Sequence, residues 1–236
     1  MTSRLLAVAF GALDPDQTAR FWAALLDRDV VADADGVLLP GDDTQVGLRF
    51  CPTRAEKREP NRLHLHLTSD ASDQGTVVAR ALDLGARHVD VGQRPEEEHV
   101  VLGDPEGNEL CVIPPESSFL AGCGLLGEVA CDGTREVGLF WRDVLSWPLV
   151  WDEGGETAVQ SPHGGTKIAW GGPPVAPVTV PARQWFELLA DGDRAGEVDR
   201  LLSLGAALVS ERDLGVVVLA DPDGNELRLR TGRPDA

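Results

Sequence analysis

No stretch of the chain approaches the roughly eighteen consecutive apolar residues that span a bilayer, so a helical membrane bundle is excluded. Basic residues are scarce: 21 Lys and Arg stand against 39 Asp and Glu, a formal net charge of −18. No basic stripe offsets this, so DNA, RNA and anionic membrane surfaces are repelled as partners. Cysteine is sparse as well. Cys51, Cys111, Cys123 and Cys131 form no C-x-x-C pair, and a chain of 236 residues needs no disulfide staples, so reduced thiols are expected. No Gly-x-Ser-x-Gly elbow is present, which argues against a serine hydrolase. Met1 to Ala12 lack the apolar core and cleavage site of a signal peptide, and a cytoplasmic location is expected. Tyrosine is missing altogether, whereas tryptophan occurs six times.

What is present has the balance of an ordinary globular chain, 42% hydrophobic and 25% charged. It also contains a duplication. Phe21-Trp22 returns as Phe140-Trp141, and Leu84-Gly85-Ala86 returns as Leu204-Gly205-Ala206. The segment Val101-Leu102-Gly103-Asp104-Pro105-Glu106-Gly107-Asn108-Glu109-Leu110 returns as Val218-Leu219-Ala220-Asp221-Pro222-Asp223-Gly224-Asn225-Glu226-Leu227. Each match lies about 120 positions downstream, in the same order, so the chain is two copies of one unit. The breaker-rich Pro114-Pro115-Glu116-Ser117-Ser118 separates them and sets domains at 1–115 and 120–236.

Each copy reads as two βαβββ modules. In the first, an apolar strand from Leu5 to Ala12 leads to a helix with Ala19, Trp22, Ala23 and Leu26 on one face. Short strands are expected near 29–32, 36–39 and 45–51. The order then recurs: a strand over 62–68, a helix over 74–84 and strands near 88–91, 99–103 and 109–113, with helices near 134–145 and 193–204 in the second copy. Gly85 suits the left-handed residue after a helix. Asp104-Pro105-Glu106-Gly107 and Asp221-Pro222-Asp223-Gly224 suit type I turns with a glycine at the end. The latter is no EF-hand, which needs Gly at its sixth position and Glu at its twelfth. Gly122-Cys123-Gly124-Leu125-Leu126-Gly127 matches a dinucleotide fingerprint, but a linker precedes it and a strand follows, so nucleotide binding is not expected.

The paired modules, the Phe-Trp helix, the Arg62-Leu63-His64-Leu65-His66-Leu67 strand and the closing Asp-Pro-Glu-Gly-Asn-Glu-Leu together resemble the vicinal oxygen chelate superfamily, in its glyoxalase-like, bleomycin-resistance-like branch. The resemblance implies an α+β fold of two tandem glyoxalase-like domains, each of two modules forming a cupped mixed sheet. Metal-dependent members place one ligand on the first and one on the last strand of each module. Carried over position by position, that set is reduced here: Ala7 replaces the first ligand, His64 is competent, and Cys111 stands where a Glu is expected. In the second copy the counterparts are about Leu125, nothing acidic over 167–170, Trp185 and Arg228. No metal is therefore expected; if one is present, His64, His66 and Cys111 are its candidates, since residues i and i+2 of a strand share a face.

The residues expected to line the cups are His64, His66, Phe50, Cys111, Trp170, Trp185, Glu187 and Arg228. A stacked, flat anionic ligand is one use for Trp185, Trp170 and Arg228; filling of the cup by these same side chains is the equal alternative. Three functions follow. The first is a small-molecule binder with a metal-free cup, sequestering a toxic or self-made metabolite. The second is a lyase-, isomerase- or dioxygenase-like enzyme using His64 as general base, or a degenerate metal site at His64 and His66. The third is a structural or regulatory protein with filled cups. Fusion of two copies also suggests a monomeric pseudo-dimer or a homodimer.

Overall fold

The computed structural model describes residues 3–94, 96–175, 183–212 and 215–231. Four βαβββ modules follow one another. The first comprises β1 (Arg4–Ala12), α1 (Pro15–Leu26), β2 (Val31–Asp33), β3 (Gly36–Leu39) and β4 (Leu48–Pro52). The second comprises β5 (Leu63–Leu67), α2 (Gln74–Asp83), β6 (Arg87–His88), β7 (Val100–Gly103) and β8 (Glu109–Val112). The third comprises β9 (Leu126–Cys131), α3 (Arg135–Leu145), β10 (Leu149–Glu153), β11 (Glu156–Gln160) and β12 (Lys167–Trp170). The fourth comprises β13 (Gln184–Ala190), α4 (Arg194–Leu204), β14 (Ala207–Arg212), β15 (Val216–Ala220) and β16 (Glu226–Thr231).

Every helix starts where a short polar side chain caps it. Asp14, Asp73, Thr134 and Asp193 each accept a backbone N–H of the first turn. Gly205 ends α4 at φ +116°, a conformation that costs a residue with a Cβ. The duplicated turns form as their residues dictate: Gly107 and Gly224 take φ +83° and +84°, and each turn Asp accepts from the backbone two and four residues on. The sixth strand is shorter than the sequence suggests, only Arg87–His88, and the last strand of the first module begins three residues later, at Leu48.

The modules do not pair in chain order. One eight-stranded sheet runs β14-β15-β16-β13-β1-β4-β3-β2 and joins the first module to the fourth. The other runs β10-β11-β12-β9-β5-β8-β7-β6 and joins the second to the third. Each sheet thus takes one module from each half of the chain, and the central seams are the antiparallel pairs β1–β13 and β5–β9. One face of both sheets packs on the helices through a common core containing Trp22, Phe50, Trp141, Trp170 and Phe186. Strand alternation sends the intervening residues to the opposite, cupped face.

Candidate functional site

The two cups occupy equivalent places but hold different residues. In the first sheet Ala7 pairs with Glu187, and Glu187 with Arg228. The equivalent row of the second sheet is Lys167, Glu128, His66 and Cys111, neighbours in register across β12, β9, β5 and β8.

The first cup is filled by its own side chains. Glu187, with no exposure, pairs with Arg49 and with Arg230, each at 2.9 Å. Arg49 continues to Asp33 at 2.8 Å and Arg230 to Asp35 at 2.6 Å. The Arg228 guanidinium lies 3.4 Å above the Trp185 ring, pairs with Glu226, and the Trp185 indole donates to Glu187 at 3.2 Å. Burial pushes the Cys51 thiol in this cup up to about 12. Trp185, Glu187 and Arg228 do gather as expected, but around one another.

One expected lining residue, Phe50, faces the other way. Phe50 is fully buried in the helix-side core and stacked on Phe10 at 5.7 Å. Alternation gives the cup its neighbours Arg49 and Cys51 instead. Trp170 also belongs to that core, and it borders the cavity of the second sheet as well. The expected sharing of a cup by Trp170, Trp185 and Arg228 also fails, because Trp170 lies on the second sheet and the other two on the first.

The second cup is open. A cavity of about 770 Å³ is lined by His64, His66, Glu128, Lys167, Phe119 and Trp151 among others. Small residues make the room. Ala169 pairs with Ala130 at the position where the first sheet pairs Arg49 with Ala9, and His64 stands where the first sheet has Trp185. Its walls are mixed. Phe119, from the segment joining the halves, meets Trp151 edge-on at 5.9 Å. The Lys167 ammonium sits 4.2 Å over the Phe119 ring and donates to the Phe119 carbonyl. Asn61 and Arg62, from the charged loop between modules, reach the rim.

On the floor, His66 Nδ1 lies 2.6 Å from a Glu128 oxygen, and the rings of His64 and His66 are 4.8 Å apart. Burial and the neighbouring His66 press the His64 pKa down to about 4. Burial opposes charge on His66 too, but hydrogen bonds to Cys111 and Glu128 outweigh it and raise the pKa to about 9. His64 is therefore neutral at pH 7, with a free lone pair, yet too weak a base to serve well in proton abstraction near neutrality. The donor atoms of His64, His66 and Cys111 all lie within 4.8 Å of one another.

Glu128 is the floor residue that sequence reasoning missed. Its position is that of Ala7, not the expected Leu125: Ala7 pairs with Glu187 as Glu128 pairs with His66. The run from the first strand to the Phe-Trp pair is shorter in the second half, so alignment on Phe-Trp misplaces the strand. The signal available was the His66-to-Glu187 spacing, which brings Ala7 onto Glu128. Nothing in the sequence pointed to Phe119 or Trp151, which reach the cup from a linker and an edge strand.

The family model that matches this chain is described as a glyoxalase-like domain, and it matches twice, at residues 7–113 and 128–230. No curated protein sequence matches. Among solved structures, glyoxalase I from Zea mays is similar with a TM-score of 0.63 at 13% identity, over 97% of this chain and 92% of that one. A putative dioxygenase from Bacillus subtilis subsp. subtilis str. 168 is similar with a TM-score of 0.65 at 13% identity, over 99% of this chain and 86% of that one. At such identity the likeness carries the fold and leaves the chemistry to the residues.

Proposed function

We propose, for a chain that belongs to the glyoxalase-like domain family, that its function is to bind a small molecule in the cup of the second sheet. The observation that carries this is the contrast between the cups. Equivalent backbone positions are closed by Arg49, Glu187, Arg230 and Trp185 in one sheet and left open around His64 and Ala169 in the other. A cavity of about 770 Å³ falls within the usual range for small-ligand sites, roughly 300–1,000 Å³.

The chemistry of the lining limits the ligand. Phe119 and Trp151 offer ring faces and edges to a flat apolar body. Lys167 and Arg62 bring positive charge to the lining, which favours an anionic group, with Lys167 held on the Phe119 carbonyl and Arg62 on Asp132 and Asn225. Neutral His64 offers a lone pair on the floor. The expected general-base role of His64 has little support, because a group with a pKa near 4 accepts protons poorly at pH 7. His64 is better read as an acceptor for a ligand hydroxyl or a donor to a metal ion. The first cup serves as a closed brace.

The test is a thermal-shift and tryptophan-fluorescence screen against small planar carboxylates and phenols. Binding should raise Tm and alter emission, and Trp151→Ala, which removes an exposed ring that the ligand would cover, should weaken binding at least about tenfold. Arg228→Gln, in the closed cup, should leave affinity unchanged. If no compound shifts Tm, or if Arg228→Gln abolishes binding while Trp151→Ala does not, the reading fails.

A further inference from the structure

We propose that Lys167 selects the charge of the ligand, and that the open cup takes a planar monocarboxylate, which draws the Lys167 ammonium away from the Phe119 carbonyl. The proposal rests on the small-molecule reading above and sharpens it, because it separates carboxylates from neutral phenols.

The charges of the lining carry it. Arg62, His66, Glu128, Asp132, Glu156 and Lys167 all border the cavity. Arg62 pairs with Asp132 at 3.0 Å, and Glu128 lies 2.6 Å from His66 Nδ1. Glu156 stands exposed at the start of β11. Lys167 is half-buried, and among the described residues no carboxylate forms an ion pair with it. Its partners are neutral: the Phe119 carbonyl accepts from it, and the Phe119 ring lies 4.2 Å away. Glu128 is its register neighbour, yet His66 already holds a Glu128 oxygen and the ammonium rests on Phe119 instead. The sheet itself does not require a long side chain here. In the closed cup the same place, one step before the Val8–Leu48 pair, is Gly47.

The exchange of partners is favourable. A carboxylate adds charge attraction to the hydrogen bond, which the neutral carbonyl cannot. The linker survives the loss of the lysine. Leu120 is buried, Gln45 donates to the Cys123 carbonyl at 2.7 Å, and Thr68 donates to the Gly124 carbonyl at 2.8 Å. Phe119 therefore stays at the cup, with its ring available to the flat body of the ligand. One unpaired ammonium matches one negative charge. Glu128 and Glu156 border the same cavity and the chain carries a formal −18, so a dianion such as a phosphate monoester meets repulsion. A phenol, neutral at pH 7, offers Lys167 no more than the carbonyl it already has.

The experiment is isothermal titration at pH 7 with naphthoate, naphthamide and naphthol, all substituted at the same ring position. Naphthoate should bind the wild-type protein at least about tenfold more tightly than the other two, the size of one hydrogen bond to a charged group. Lys167→Met should erase that preference by weakening naphthoate alone, and Lys167→Arg should retain it. Added salt should weaken naphthoate and leave the neutral probes unchanged, which tests the wild-type protein even if Lys167→Met does not fold. Equal binding of the three probes, a preference for naphthoate that survives in Lys167→Met, or binding of none of them would overturn the proposal. The wider reading fails separately: Trp151→Ala should weaken all three probes alike, and a cup that takes only the neutral probes would leave that reading intact while removing Lys167 as the selector.

Discussion

The Trp22 indole donates to the buried carboxylate of Asp104 at 2.9 Å, and the Trp141 indole repeats the bond on Asp221 at 3.3 Å. Each bond ties the first helix of one half to the closing turn of the same half. It joins the two most recognisable repeated motifs, Phe-Trp and Asp-Pro-x-Gly-Asn, into one structural unit. The two modules of a half are therefore linked through this helix-to-turn contact while their strands pair elsewhere.

Asp104→Ala should be strongly destabilising. The carboxylate accepts from Trp22, from both nitrogens of Asn108 and from the Glu106 amide, and its removal strands those donors inside the protein. A loss of about 3 kcal/mol is expected by urea unfolding. Asp29→Ala, at an exposed position after α1, should stay within about 0.5 kcal/mol and serves as the control.

Glu187→Ala should destabilise by about 3–5 kcal/mol, because it leaves Arg49 and Arg230 facing each other in a closed cup. Replacing the whole network with packed apolar residues should cost far less. Ligand affinity in the open cup should survive in any fraction that remains folded, which equilibrium binding on the purified variant would measure.

Acid should act through His64. Its folded pKa, about 4, lies below the unfolded value of about 6.5, so protonation favours the unfolded chain. The contribution of His64 is intact above about pH 6.5 and is lost progressively as pH falls to about 4. His64→Gln should flatten this window by up to about 3 kcal/mol, read as the difference between wild-type and variant stability profiles. Identical profiles would remove His64 as the source.

The halves should not fold separately. Residues 1–115 and 120–236 each carry one module of each sheet, so neither alone completes an eight-stranded sheet. Expressed singly they should be unfolded or self-associated, and mixing should restore a one-to-one complex, measurable by circular dichroism and size-exclusion chromatography. A stable monomeric half with native-like spectra would contradict the interleaving.

Much of this was legible from residue patterns. The duplication, the four modules and the glycine turns all follow from local chemistry, since Gly107 and Gly224 act on their own neighbours. The exchange of modules between halves was not, because no local signal says which strand β1 prefers. The site was half legible. His64, His66 and Cys111 share a face by strand alternation, and Trp185, Glu187 and Arg228 do as well. Phe50 was misread by one position on its strand, which moves a side chain to the opposite face. Lys167 emerges only from the register of β12 on β9, and Glu128 was within reach only through the His66-to-Glu187 spacing.

The interleaved topology also orders the birth of the protein on the ribosome. The open-cup sheet draws on modules adjacent in the chain and can close once β12 has emerged. The braced sheet must pair Arg4 with Leu189 and then add β16, so its first module waits, with the seam edge of β1 unpaired, until almost the entire polypeptide has been made. The exposed edges of that waiting module are where a chaperone, or a neighbouring nascent chain, would have the longest opportunity to bind.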